Sequence, residues 1–284
     1  MKKIFALVFA LAIVASVIAA CASSTGGTAM PQAPAGTLLR KIQDRGKLIV
    51  GVKYDLPTFG YLNPKTNQME GFDPAIARAI AESIFGDPNK VEFKEAVTKD
   101  RIPFLKDGTV DLVIGTFIIT EERLKEVDFS IVYYTTGGRL LVAKDSPIRS
   151  VADLNGKKVG TPQGSVYVTE LPKVSKAQVM QFKNDSAALE ALLQKQVDAT
   201  TNNDANLYGL ALLNPGVKVV GLTYTRESFG VGMAKGNPEL MDAVNTVIKS
   251  IKASGKWKQI WKQEIGDKLG MTSIPEPPAD GWKK

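Results

Sequence analysis

The stretch Lys47-Leu-Ile-Val-Gly-Val52 is short, apolar and rich in branched residues, the pattern of a strand buried on both faces. Downstream, Asp73 and Pro74 read as a helix start. Aspartate is a good N-cap, and proline in the first turn lacks only an N–H that has no partner there. Ile76, Ala79, Ile80 and Ile84 then recur at helical spacing on one face. Val110-Asp-Leu-Val-Ile114 is the next strand, and a short loop carries it into the polar helix start Thr120-Glu-Glu-Arg123. Leu140-Leu-Val-Ala143 is another strand-like segment. Strands separated by helices need crossover connections, so the fold class is α/β.

A second set follows Pro147. Val151 to Gly156 reads as a short helix ending at its glycine, Lys158-Val-Gly-Thr161 as a strand, and Gln163-Gly164-Ser165 as the opening of a helix. Ala187 to Gln194 is a helix with Leu189, Leu192 and Leu193 on its apolar side. Strands begin at Val197 and Val217, and a last long helix is predicted from Asn237-Pro238 to about Ile265, with Trp257 and Trp261 packing into the core.

With 284 residues there is room for two lobes with separate cores. Net charge is +7, but the basic residues are dispersed, which argues against a nucleic-acid partner. Histidine is absent and there is one cysteine. Ser-His-Asp and Cys-His catalysis, His-ligated zinc and an intramolecular disulfide are thereby excluded. No cofactor, metal or catalytic residue is expected.

Lys2 and Lys3 precede an apolar run that ends in small residues, Val17-Ile18-Ala19-Ala20, directly before Cys21. This is the pattern of a signal peptide over 1–20. It resembles a bacterial lipobox, which implies that Cys21 carries a lipid and anchors the protein outside the cytoplasm at the cell membrane. Residues 21–36 are small and polar and read as a flexible tether.

Ten short stretches, in this order and spacing, carry a wider resemblance: Gly51-Val-Lys-Tyr-Asp55, Glu70-Gly-Phe-Asp73, Arg101-Ile-Pro-Phe-Leu105, Asp111-Leu-Val-Ile-Gly-Thr116, Ile119-Thr-Glu-Glu-Arg123, Val127-Asp-Phe-Ser130, Gly156-Lys-Lys-Val-Gly160, Gln163-Gly-Ser165, Val197-Asp-Ala199 and Gly255-Lys-Trp257. From about Leu39 to Gly270 the chain resembles the polar amino-acid family of bacterial extracytoplasmic solute-binding proteins, family 3. The resemblance implies a two-lobed periplasmic-binding-protein-like fold of type II, with lobe 1 at 37–136 plus 226–284 and lobe 2 at 137–225. It implies a ligand cleft between the lobes, and an ABC permease with its ATPase as partners.

Arg123 fits such a cleft, because a guanidinium forks two parallel hydrogen bonds to a carboxylate. In the resembled family the arginine at this position holds the ligand α-carboxylate. Gly115, Thr116 and Phe117 belong to the same wall. On lobe 2, Gln163, Gly164 and Ser165 are expected to offer N–H groups at a helix N-terminus, with Val166 next to them at the ligand. Lys53 and Arg101 resemble basic positions of the glutamate/aspartate-binding branch, where they face a side-chain carboxylate. Tyr54 and Phe59 either wall the cleft or pack in the core.

The sequence departs from the family at four places. Ile118 and Val166 stand where hydroxyl residues are usual, and Leu56 where a polar residue is common. Asn203 takes the place of the acid that pairs with the ligand ammonium, while Asp204 follows one residue later. The sequence reading is capture of a small polar amino acid, glutamate- or aspartate-like, by lobe closure. A dehydratase-like cleft enzyme of the same fold and a sensory or adhesive surface module are the alternatives.

Overall fold

A computed structural model describes residues 29–282, so the signal peptide and Cys21 lie outside the described residues. Leu48–Val52 forms a strand as read, central because its side chains are almost all buried. It pairs in parallel with Val91–Glu95 on one side and Leu112–Val113 on the other. The antiparallel strands Gly232–Met233 and Asp128–Phe129 complete a five-stranded mixed sheet. The helix Phe72–Phe85 packs on it through Phe72, Ile76, Ile80 and Ile84.

A second five-stranded sheet runs in the order Gln178–Phe182, Lys158–Pro162, Ala199–Asn203, Gly138–Ala143, Val217–Val220. Its first three strands are parallel and Gly138–Ala143 is antiparallel to both neighbours. Non-consecutive strand order means crossover connections, and a cleft outside the carboxyl ends of such strands is where an open α/β sheet takes ligands. Between the sheets runs a two-stranded ribbon in which Tyr134–Thr136 pairs antiparallel with Glu227–Phe229. The architecture is therefore two α/β lobes joined by two crossing strands.

Three local expectations need correction. Residues 29–36 are docked rather than free: Met30 N–H donates to Ser83 O, and Ala33 N–H to the Gln43 side chain at 2.8 Å. Burying Ala33 and half-burying Met30 gives that end of the tether a place on the body. The predicted C-terminal helix stops at Ala253, because Gly255 adopts φ 81, and a new helix runs from Lys256 to Trp261. Trp257 and Trp261 are both buried, as core packing requires, and the Trp257 indole N–H donates to Tyr133 O at 2.8 Å. Asp73, read as an N-cap, lies inside the first turn, and Gly71 holds the cap position. Among the described residues no helix is long and apolar enough to cross a membrane.

Candidate functional site

The strand Leu48–Val52 delivers Lys53 to the space between the lobes, and Leu112–Val113 delivers Gly115 and Thr116 beside it. Thr116 adopts φ 48, a left-handed conformation that branched residues rarely accept. The Asp73 carboxylate fixes it by accepting the Thr116 N–H at 2.8 Å, while the other oxygen accepts the Tyr133 hydroxyl at 2.8 Å. Full burial pushes the Asp73 carboxyl up to about 7, against those two hydrogen bonds and the nearby Arg101 charge.

Arg123 stands in the first turn of the helix Glu121–Glu126, whose N-cap Thr120 accepts the Arg123 N–H at 3.2 Å. Its guanidinium is half-buried and donates to Ile118 O at 2.7 Å and to Gly164 O, on the opposite lobe, at 3.0 Å. Phe117 is buried, with the Arg101 and Arg123 guanidiniums 5.5 and 5.1 Å from its ring centroid. Burial, with repulsion from Arg101, lowers Arg123 to about 9. Burial lowers Arg101 to about 10, opposed by Asp185 and Asp73. Both remain charged at neutral pH. The Arg101 guanidinium donates to Thr116 O at 3.4 Å, and its buried Nε has no hydrogen-bond partner among the described residues.

The Lys53 ammonium is 1% exposed and meets the carboxylate of Asp185, itself 2% exposed. Lys53 directly follows the strand Leu48–Val52 of the first sheet and Asp185 opens the helix Asp185–Leu193 beside the second, so this ion pair crosses between lobes. The other Asp185 oxygen accepts the Asn202 side-chain amide. Sequence reasoning missed Asp185. Asn184-Asp185 reads as an ordinary helix start, and Asn184 does cap it by accepting the Ala187 N–H at 3.0 Å.

Asn203 is buried and caps the helix Asp204–Leu213, accepting the Asn206 N–H at 2.9 Å. Asp204 turns to the ribbon and accepts the Thr136 hydroxyl at 2.6 Å. Asn206 contacts the Thr116 hydroxyl across the cleft at 3.5 Å and leaves its buried Oδ1 without a partner among the described residues. Unsatisfied buried polar atoms on Arg101 and Asn206 flank Thr116 from the two lobes. Such atoms are expected where a polar guest completes the hydrogen bonding.

The segment Gln163–Ser165 differs from its reading. The helix after it is a single turn, Tyr167–Glu170. The Gln163 N–H already donates to Phe182 O at 2.8 Å, and the Ser165 N–H to Pro162 O at 3.1 Å. Two of its three N–H groups are thus spent within the fold, and it faces lobe 1 through the Gly164 carbonyl. Val166 is half-buried against the core. Tyr54 is half-buried, its hydroxyl donating to Phe93 O at 3.0 Å. Phe59 is fully buried in an aromatic cluster with Phe72, Tyr134 and Phe229, at centroid distances of 5.8, 5.0 and 6.0 Å.

Residues 48–267 match the family model described as bacterial extracellular solute-binding proteins, family 3. The chain is similar to the glutamine-binding protein of Geobacillus stearothermophilus, 44% identical over 247 residues, which span 82% of this chain and 94% of that one. It is also similar to the ABC transporter glutamine-binding protein GlnH of Bacillus subtilis (strain 168), 40% identical over 93% of this chain and 98% of the relative. Among solved structures, an ancestral arginine-binding protein bound to glutamine superposes with a TM-score of 0.72 at 36% identity, covering 78% of this chain and 99% of that chain. With the two-lobed α/β fold and a family match over most of its length, the chain belongs to the bacterial extracellular solute-binding proteins of family 3, and it is a binding protein rather than an enzyme.

Proposed function

We propose that the chain is the substrate-binding component of an amino-acid ABC importer and that its ligand is glutamine. The observation that carries this reading is Arg123, a half-buried guanidinium held between Ile118 O and Gly164 O on opposite lobes. A carbonyl is a weak partner for a guanidinium, and a ligand α-carboxylate taking a forked pair of bonds is a better one. Ligand contacts from both lobes then favour the closed state that a permease reads. Two relatives named for glutamine, at 44% and 40% identity, favour glutamine over the glutamate-like ligand expected from Lys53 and Arg101. Lobe boundaries at 37–136 plus 226–284 and 137–225, extracytoplasmic placement and a lipid anchor on Cys21 belong to the same reading.

Calorimetric titration of the purified chain, unfolded and refolded to strip bound solute, tests it. Glutamine, glutamate, aspartate and arginine are compared side by side. Micromolar or tighter glutamine binding is the expected result. No heat with glutamine and tight binding of another of the four would overturn the ligand, and no binding of any would overturn the amino-acid class.

A further inference from the structure

Lys53 and Asp185 come from different lobes, 132 residues apart in sequence, and both are almost wholly buried. A bridge closed between them neutralises the Lys53 charge in the cleft. Asn202 fixes the second carboxylate oxygen, so Asp185 is held in place on lobe 2. Asp185 also lies close enough to Arg101 to be the largest charge opposing that residue's loss of basicity.

The hydrogen-bonding inventory of the pair is incomplete. An ammonium has three donors, and among the described contacts the Lys53 Nζ uses one, on Asp185. A carboxylate accepts about four bonds, and Asp185 accepts one on each oxygen. A spare donor and a spare acceptor therefore stand side by side. That is the complement of a carboxamide, which offers one carbonyl acceptor and an NH₂ donor. A carboxylate in the same place meets the Asp185 charge, and a guanidinium meets the Lys53 charge. Like-charge juxtaposition in a desolvated site disfavours the wrong partner strongly.

We infer that the Lys53–Asp185 pair is the specificity reader of the cleft, selecting a neutral carboxamide side chain against both a carboxylate and a guanidinium. This rests on the amino-acid reading above and deepens it. Lys53 alone would favour an acidic ligand; Asp185 reverses that preference.

The test is a panel of glutamine, glutamate and arginine titrated into the wild type and two variants, each checked for folding by thermal unfolding. Asp185→Asn frees Lys53, so the preference for glutamine over glutamate should fall by at least about tenfold. Lys53→Met frees Asp185, so the preference for glutamine over arginine should fall by at least about tenfold. The two shifts run in opposite charge directions, which a purely structural pair would not produce. Should one variant fail to fold, the other decides alone, and Asp185→Glu, which keeps the charge, must retain the wild-type preference. Equal weakening of all three ligands, or ratios unchanged within twofold, would overturn the reader. A wild type that binds no glutamine overturns the functional reading and the reader with it. A wild type that binds glutamine while the variants keep its ratios overturns the reader alone.

Discussion

The Asp73 carboxylate and the Thr116 N–H form a 2.8 Å hydrogen bond between the first turn of the helix Phe72–Phe85 and the loop after the strand Leu112–Val113. It holds a branched residue at φ 48, a conformation that costs on the order of 1 kcal/mol or more without support. Asp73→Asn replaces one acceptor with a donor, so either Thr116 or Tyr133 loses its partner in a dry site. Unfolding free energy in urea should drop by about 1–3 kcal/mol at pH 4, below the range in which ionising the buried acid costs stability. Glutamine affinity should fall as well, since Thr116 would be free to leave its strained geometry. A variant as stable as the wild type would mean that the loop holds itself.

Asp73 and Glu227 share an unusual titration. Burial raises both to about 7, from ordinary carboxylate values near 4. A raised acid holds its proton in the folded state where the unfolded chain has released it. The stability it contributes is full below the unfolded value and is lost as pH rises through about 7. Glu227 is 8% exposed; one oxygen accepts the Tyr167 hydroxyl at 3.1 Å and the other has no partner among the described residues. Glu227→Gln should therefore leave stability at pH 4 unchanged and raise it at pH 8 by at most roughly 3 kcal/mol. Melting curves across that range settle it; a parallel offset at every pH would assign Glu227 an ordinary ionisation.

Arg123→Ala removes two hydrogen bonds to carbonyls, one within its own lobe and one across the cleft. The side chain is half-buried and no carboxylate is left unpaired by its loss, so folding should survive with a melting temperature within a few degrees. Ligand binding should not survive. Losing one partner of a desolvated charge pair costs about 2–5 kcal/mol, or roughly 30- to several thousand-fold in affinity. Arg123→Lys should also bind poorly, because an ammonium cannot fork. Calorimetry with glutamine reads both, and unchanged affinity in the alanine variant would remove Arg123 from the site.

The place of Arg123 in the fold was legible because its setting is local: a buried strand, a loop, a threonine cap and an acidic first turn lie within fourteen residues, Val110 to Arg123, whereas a ligand role for it came only from the family resemblance. The alternation of strands and helices was legible for the same reason, since each is written in a short periodic window. Asp185 was not. An acid after Asn184 at a helix start is the commonest way to satisfy the helix dipole, and nothing nearby announces a lysine from another lobe. Asp73 misled in a related way: the residue type suits a cap, but its side chain serves Thr116, which is 43 residues away. The break at Gly255 was hidden because the apolar period of Trp257 and Trp261 continues across it. Long-range polar pairing leaves no period in the sequence, and the cleft is made mostly of such pairs.

Gly209, in the helix Asp204–Leu213, sits against Thr58 on the other lobe. A Cβ built there would come 2.8 Å from the Thr58 hydroxyl and 3.6 Å from its backbone nitrogen. The hydroxyl belongs to a fully buried side chain, so it has little room to turn away. Gly209→Val adds three carbons at this seam, away from Arg123 and Lys53. Since glycine is the poorer helix former, the helix itself should not suffer. The strain falls on closure. A closed state made costlier by about 1.4 kcal/mol binds tenfold more weakly, by the same arithmetic that makes any closure-coupled affinity depend on the competent fraction. The expected result is glutamine affinity reduced about tenfold or more, with the ligand-free melting temperature nearly unchanged and a larger radius of gyration for the ligand-bound chain in small-angle scattering. Equal affinity in the valine variant would mean that the lobes grip ligand without bringing Gly209 and Thr58 together.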